Sequence, residues 1–322
     1  MNCNLPKITY STIRTLLRVK LSEATCPKLD IFVKKVSGVT YQNDFNSAKF
    51  RLLLKSVPPK RVRNDTFAIV YQSAIALKLS SVLRRDSLAL AYQILTEFHQ
   101  EDVNFRQENL TDAQRILSDF TSKVVSPGLL QFELGDRGLS IWLQCLTKFP
   151  LQASSSESLP PLTPLKPFIQ TLKDSEQLFV CQHSHARCCS LLRLAHGSVA
   201  TNCSETNALD DQGIVPTLDP IPWLTTQGHL CLTHPAERAL ISQMVATVDD
   251  LSDLITAPQS SLKSALALSH SFQNFYRTCQ ILEFASSSSL QRQSRLSLVL
   301  ATQRLLRHLL EVGLNAKAPP EL

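Results

Sequence analysis

The sequence predicts an α-rich protein in two parts, an α+β domain over residues 1–148 and an all-α helical bundle over residues 178–322, joined by a linker at 149–177. Three observations predict it. The stretch from Arg292 to Val312, RQSRLSLVLATQRLLRHLLEV, sets Leu296, Val299, Leu300, Leu306, Leu309 and Leu310 at three- and four-residue steps, the period of an amphipathic helix. The run into Leu134 alternates instead, with Leu130, Phe132 and Leu134 on one face after a turn at Pro127-Gly128. Between them lies LQASSSESLPPLTPLKP, too rich in Ser and Pro to bury a core of its own.

Taken in order, the chain opens with a predicted short helix from Tyr10 to Leu21, carrying Ile13, Leu16 and Leu17 on one side. A β-leaning piece, Leu29 to Val33, follows, and Gly38 opens a polar loop. Val57-Pro-Pro-Lys-Arg-Val-Arg63 cannot be a continuous helix, because paired prolines remove donors and push the preceding residue out of the α region. It reads as an exposed basic loop or strand edge. Phe67 to Leu79 starts as a strand and runs into a helix. Ser87 to His99 is a second helix with Leu90, Ile94 and Phe98 spaced for burial, and Asp112 to Phe120 adds a further turn or two. After the Pro127-Gly128 turn and its strand, the helix Leu139 to Leu146 closes the first part.

The second part begins at Leu178. Gly197 to Gly228 is a long polar loop, after which Thr233 is placed to cap a helix with Pro235 in its first turn and Glu237 set for reciprocal capping. A helix from Leu262 to Phe284 precedes the closing one, which Gly313 ends from a left-handed position and Pro319-Pro320 prevent from restarting.

Composition bounds the class. Hydrophobic content of 43% with 19% charged residues is that of a soluble globular protein, and 322 residues suffice for two cores. No apolar run reaches the roughly 18 residues that span a bilayer. The first twenty residues lack the apolar core of a signal peptide, and nine scattered Cys fit reduced thiols. A cytoplasmic location, with no membrane partner, is the expectation. Charge is uneven: Met1 to Arg63 holds thirteen Lys or Arg against Glu23, Asp30 and Asp44, which leaves that stretch at +10 and the remaining residues at −4 of the chain's +6. A basic arm fits a polyanion such as RNA, and it equally fits a solvated lysine-rich surface.

Four segments of the second part resemble, in order, the DALR anticodon-binding domain that ends arginyl-tRNA synthetase and some relatives. Phe179-Val-Cys-Gln-His-Ser-His-Ala-Arg-Cys-Cys-Ser-Leu-Leu-Arg193 is similar to the family's "VQYAHARICSILR", with His185-Ala186-Arg187, Ser190 and Leu192-Arg193 in register. Thr233 to Ile241 starts the next helix, and Phe272-Gln-Asn-Phe-Tyr-Arg-Thr-Cys-Gln-Ile-Leu282 is similar to "FNxFYxxCRVL". Arg295-Leu296-x-Leu298, Ala301, Leu306 and Gly313-Leu314 resemble the closing helix. The sequence departs from the family in ending on Ala318-Pro-Pro-Glu-Leu322, without a terminal Met. Ala74 to Leu79 and Ser126 to Leu134 resemble parts of the synthetase's N-terminal accessory domain, over roughly residues 65 to 146. The resemblance implies tRNA binding, with arginine tRNA as the partner and arginyl-tRNA synthetase itself as a possible second one. It implies no cofactor. Neither a His-x-Gly-His nor a Lys-Met-Ser-Lys signature occurs, and the short Ser/Pro stretch has no room for a nucleotide-binding sheet, so no catalytic residue is expected.

Positive side chains supply affinity for phosphates, and aromatic or Arg planes stack on unpaired bases. The candidates for tRNA contact are therefore Arg187, Tyr276, Arg277, Arg304, Arg307 and His308, with Lys60, Arg61 and Arg63 on the basic arm. Arg304 and Arg307 also suit a purely helical role, as cations in the last turns complementing the dipole. Phe272 and Phe275 read as core. Cys181, His183, His185, Cys188, Cys189 and His196 invite a metal, but no C-x-x-C pair accompanies them and one helix cannot wrap a tetrahedral ion, so no metal is expected. Cys188 and Cys189 on an apolar helix read as inert thiols. Three functions remain open on sequence: a tRNA-binding protein without catalysis, a module that docks on a protein after losing RNA affinity, and a subunit active only with a separate catalytic chain.

Overall fold

A computed structural model of the chain describes residues 12–37, 57–62, 64, 66–100, 110–148, 172–199, 220–251, 258–282 and 289–322. The chain divides into two units, Met1–Leu139 and Ser140–Leu322.

The first unit begins with α1 (Ile13–Ser37). Thr12 sets its start: the Thr15 amide donates to Thr12 Oγ1 at 3.0 Å, an N-cap bond. Ile13, Leu16, Leu17 and Leu21 are all buried. The helix continues through Leu29–Val33, where the sequence predicts a β-leaning piece. A short apolar run has no period that separates strand from helix, and an established helix gains one bond per added residue.

A four-stranded antiparallel sheet follows, built from β1 (Lys60–Val62), β2 (Ile69–Ser73), β3 (Phe120–Val125) and β4 (Leu129–Leu134) in the order β1-β2-β4-β3. The basic segment after the paired prolines is thus an edge strand, where a missing N–H is tolerated. Leu130, Phe132 and Leu134 are buried as their alternation requires. The register sets Tyr71 opposite Phe132, both fully buried. Over them lie α2 (Ile75–Leu83) and α3 (Ser87–Gln100), with the Phe98 ring of α3 centred 5.0 Å from that of Phe132 and the Lys20 ammonium of α1 4.5 Å from the Phe98 centroid. Between β3 and β4, Gly128 holds φ +138°, and a Cβ there would stand 2.9 Å from that of Ser87. No other residue type fits this turn without strain. Thr111 and Gln114 cap α4 (Asp112–Ser118) reciprocally. The Asp119 carboxylate accepts the Gly138 amide at 2.6 Å in the first turn of α5 (Asp136–Thr147).

The second unit takes in the later part of α5, then α6 (Leu172–Val199), α7 (Pro235–Leu251), α8 (Pro258–Thr278), α9 (Ser289–His308) and a π-helical turn, Leu309–Gly313. Several boundaries differ from the sequence prediction. α6 starts at Leu172, inside the predicted linker, and α8 stops at Thr278, so Cys279 to Leu282 lie outside it. The cap of α7 falls on His234 instead of Thr233: His234 Nδ1 accepts the Ala236 amide at 3.2 Å, while Glu237 accepts the His234 amide at 2.9 Å. Gly313 is not left-handed; that conformation belongs to Asn315 at φ 48°. Gly313 is needed for proximity, since a Cβ would come within 2.9 Å of the Ser261 side chain on α8.

α9 is buried on most of its circumference, with Leu298, Val299, Ala301, Leu305 and Leu306 at 2% exposure or less alongside Ser294, Ser297 and Thr302. Such a helix occupies the middle of its bundle. Its polar residues are accordingly bonded inside. Thr302 Oγ1 donates to Leu298 O at 2.7 Å, and Arg295, 8% exposed, donates to the fully buried Glu237 carboxylate at 2.6 Å and to Gln280 O at 2.8 Å. Glu237 therefore closes the cap of α7 and neutralises the buried Arg295 of α9, which also holds the chain just after α8 through Gln280 O. Segment 221–232 doubles back through a Leu224–Leu230 bridge, and its Ile221 amide and Trp223 indole both donate to Gln144 Oε1.

Candidate nucleic-acid interface

The phenylalanines of α8 place its functional candidates. Phe272 and Phe275 are buried at 1% and 0% exposure, which leaves Tyr276 half-buried and Arg277 exposed. The Tyr276 ring stacks on Phe272 at 6.3 Å and 25°, so its base is fixed by the core. Arg187 of α6 lies over the Tyr276 ring, the guanidinium carbon 4.7 Å from the centroid, and donates to the Tyr276 hydroxyl. A planar cation held on an aromatic ring is a preformed stacking surface for an unpaired base, with charge for the neighbouring phosphate. Beside it an open groove of about 810 Å³ is lined by Leu191, Tyr276, Arg277, Gln280, Gln291 and Arg295.

The structure extends this face in a direction the sequence prediction left out. Phe179 is 56% exposed and its ring centre lies 6.3 Å from that of His183, also exposed. With Arg187 they form a stripe at four-residue steps along α6. The four-residue spacing is legible in the sequence, where His183 reads only as a metal ligand.

The other candidates stand elsewhere. Arg304 is half-buried and donates to Thr147 O, a contact that ties α9 to the end of α5. Arg307 pairs with Glu311 at 2.9 Å one turn later, as a helical cation does, and remains 24% exposed. His308 is half-buried, and burial lowers its pKa, with Glu311 pulling in the opposite direction. On the first unit Lys60 is exposed and Arg61 half-buried, opposite Gln72 and Tyr71 on the edge of the sheet. Arg63 lies outside the described residues.

Cys181, His185 and Cys188 of α6 are interior packing. Burial pushes the Cys181 thiol up to about 11 and the Cys188 thiol well above its ordinary value, whereas a reactive thiolate needs the reverse. Among the described residues no three His, Cys, Asp or Glu side chains gather as a metal site. The side chain of His196 lies outside them. Among the described residues no helix is long and apolar enough to cross a membrane.

Comparison with known proteins bears on the same region. Residues 181–322 match the family described as the DALR anticodon binding domain. The chain is 32% identical over 142 residues to an arginine–tRNA ligase of Synechococcus sp., covering 44% of this chain and 21% of the ligase. It is 30% identical over 141 residues to that of Gloeobacter violaceus, covering 42% and 21%, and 30% identical over 147 residues to that of Moorella thermoacetica, covering 45% and 22%. The chain thus spans about a fifth of the length of these relatives. No solved structure matches it. Arg187 and Tyr276 both lie within the residues, 181–322, that match the DALR anticodon binding domain.

Proposed function

We propose that the protein binds tRNA without catalysing its aminoacylation, and that arginine tRNA is its ligand. The observation that carries the reading is the stack of exposed Arg187 on half-buried Tyr276, between α6 and α8 within the residues that match the anticodon-binding family. Unpaired anticodon bases stack on this plane and on Phe179 and His183, while Arg277 and Arg307 contact phosphates. The basic arm at Lys60, Arg61 and Arg63 adds affinity without sequence preference. Two features support the non-catalytic half: the 322 residues hold no His-x-Gly-His or Lys-Met-Ser-Lys signature, and the ligases are matched over about a fifth of their length. The sequence likeness of residues 65–146 to the synthetase accessory domain supports a second tRNA contact by the sheet unit.

Fluorescence anisotropy with labelled tRNA tests it. Arginine tRNA should bind more tightly than an unrelated tRNA at ~150 mM salt, and Tyr276→Ala should lower that affinity. Equal affinities that fall together as salt rises would reduce the site to phosphate neutralisation. A protein-docking module, with arginyl-tRNA synthetase as its partner, is the competing reading. It is favoured by the −4 charge that follows residue 63, and absence of tRNA binding at low salt would select it.

A further inference from the structure

The segment after Gly313 turns back along α6. Asn315 at φ 48° makes the reversal, and the Ala316 amide donates to Leu310 O at 2.8 Å. Side chains of α6 then hold its backbone in sequence. Gln182 Nε2 donates to Lys317 O at 2.9 Å, His185 Nδ1 to Pro319 O at 2.8 Å, and Arg193 to Pro320 O at 3.3 Å. Arg193 also pairs with Glu321 at 3.2 Å. Pro319 and Pro320 have no N–H, so their carbonyls are the only backbone groups a helix side chain can grip there.

His185 is the buried fastener, 2% exposed. Its Nδ1 donates to a carbonyl, and Gln303 Nε2 approaches its Nε2 at 3.0 Å, so the ring is neutral with Nε2 accepting. We infer that residues 314–321 form a strap on α6 that His185 fastens when neutral and releases when protonated. Protonation would place a charge where water is excluded and end the acceptance of the Gln303 amide by Nε2. Burial lowers the pKa of His185 most; the Pro319 carbonyl opposes this, Arg307 adds to it and Glu311 opposes it. Cys189, 3.9 Å away on the next turn of α6, and the strap's own Lys317 and Glu321 complete the titratable surroundings. Because the fastened form holds fewer protons than the open one, fastening is complete above the ordinary imidazole pKa of about 6.5 and weakens as pH falls through it. Carboxylates titrate near 4.3 and lysines near 10.4, so the window from about pH 7.5 to 5.5 isolates histidine. Opening leaves a cationic His185 and an unpaired Arg193 on the helix that carries Arg187.

Hydrogen exchange of the amides in residues 314–322 tests this without RNA, so its outcome is separate from the tRNA reading. Exchange is measured at each pH against a synthetic peptide of the same residues. Protection should fall on acidification, by at most about tenfold per pH unit. His185→Gln, whose amide still donates to Pro319 O, should hold the strap and flatten the pH dependence, which also separates His185 from His308. Unchanged protection across the window in the native chain, or a native fall in His185→Gln, would overturn the inference. Should His185→Gln not fold, Arg193→Ala decides: it should lower protection at the upper pH and keep the acid-dependent fall, and native protection in that variant would remove the strap.

Discussion

Arg187 and Tyr276 make one surface from two helices, and neither can be removed without altering the other. Base–aromatic stacking contributes about 1–3 kcal/mol per base, so Tyr276→Ala should weaken arginine-tRNA binding roughly 5- to 150-fold in a filter-binding titration. Arg187→Ala should cost a comparable amount, and the double variant less than the sum, because the two side chains touch. Full additivity in that cycle would mean that they act as separate contacts. The buried thiols give a second check at this scale. Cys181 and Cys188 should stay unlabelled by a thiol reagent at about pH 8, where an ordinary thiol near 8.5 reacts, and label only on unfolding. Rapid labelling of the native chain would contradict their placement. Residue types announced the candidates, but their use depended on partners far away in sequence. Arg304 meets Thr147 across 157 positions, and no spacing rule reaches that far.

Among the elements, those with a clear period were legible. β4 and α3 follow from alternation at Leu130, Phe132 and Leu134 and from Leu90, Ile94 and Phe98 at helical steps. Leu29–Val33 was not, because five residues hold no period that decides between states. α9 was legible as a helix but not as a central one, since Ser294, Arg295 and Ser297 look like a solvent face until Glu237 and the bundle are in place. The Glu237–Arg295 pair makes this point measurable. Glu237→Gln leaves a buried guanidinium uncompensated and should cost about 3–5 kcal/mol in urea unfolding. Replacing both partners, Glu237→Leu with Arg295→Met, should recover most of that loss. A loss below about 1 kcal/mol for the single variant would match an exposed pair, contrary to the burial seen here. Gly313→Ala tests the contact with Ser261, with an expected cost of about 1–3 kcal/mol from overpacking.

At the scale of the whole molecule, the chain divides into two units. The division falls at Leu139–Ser140, within α5, because Gln144 and Thr147 bond to Ile221, Trp223 and Arg304 of the second unit. Helix α5 reads locally as the close of the sheet unit, and only those long-range acceptors reassign its later half. The positive arm of the first unit and the Arg187–Tyr276 stack of the second assign different work to the two units: affinity from the first, discrimination from the second. The decisive measurement is the affinity of the purified chain for arginine tRNA and for an unrelated tRNA, each across a salt series. A preference for arginine tRNA should survive at ~150 mM salt and disappear in Tyr276→Ala. Identical affinities that collapse together as salt rises, or a preference untouched by Tyr276→Ala, would contradict it.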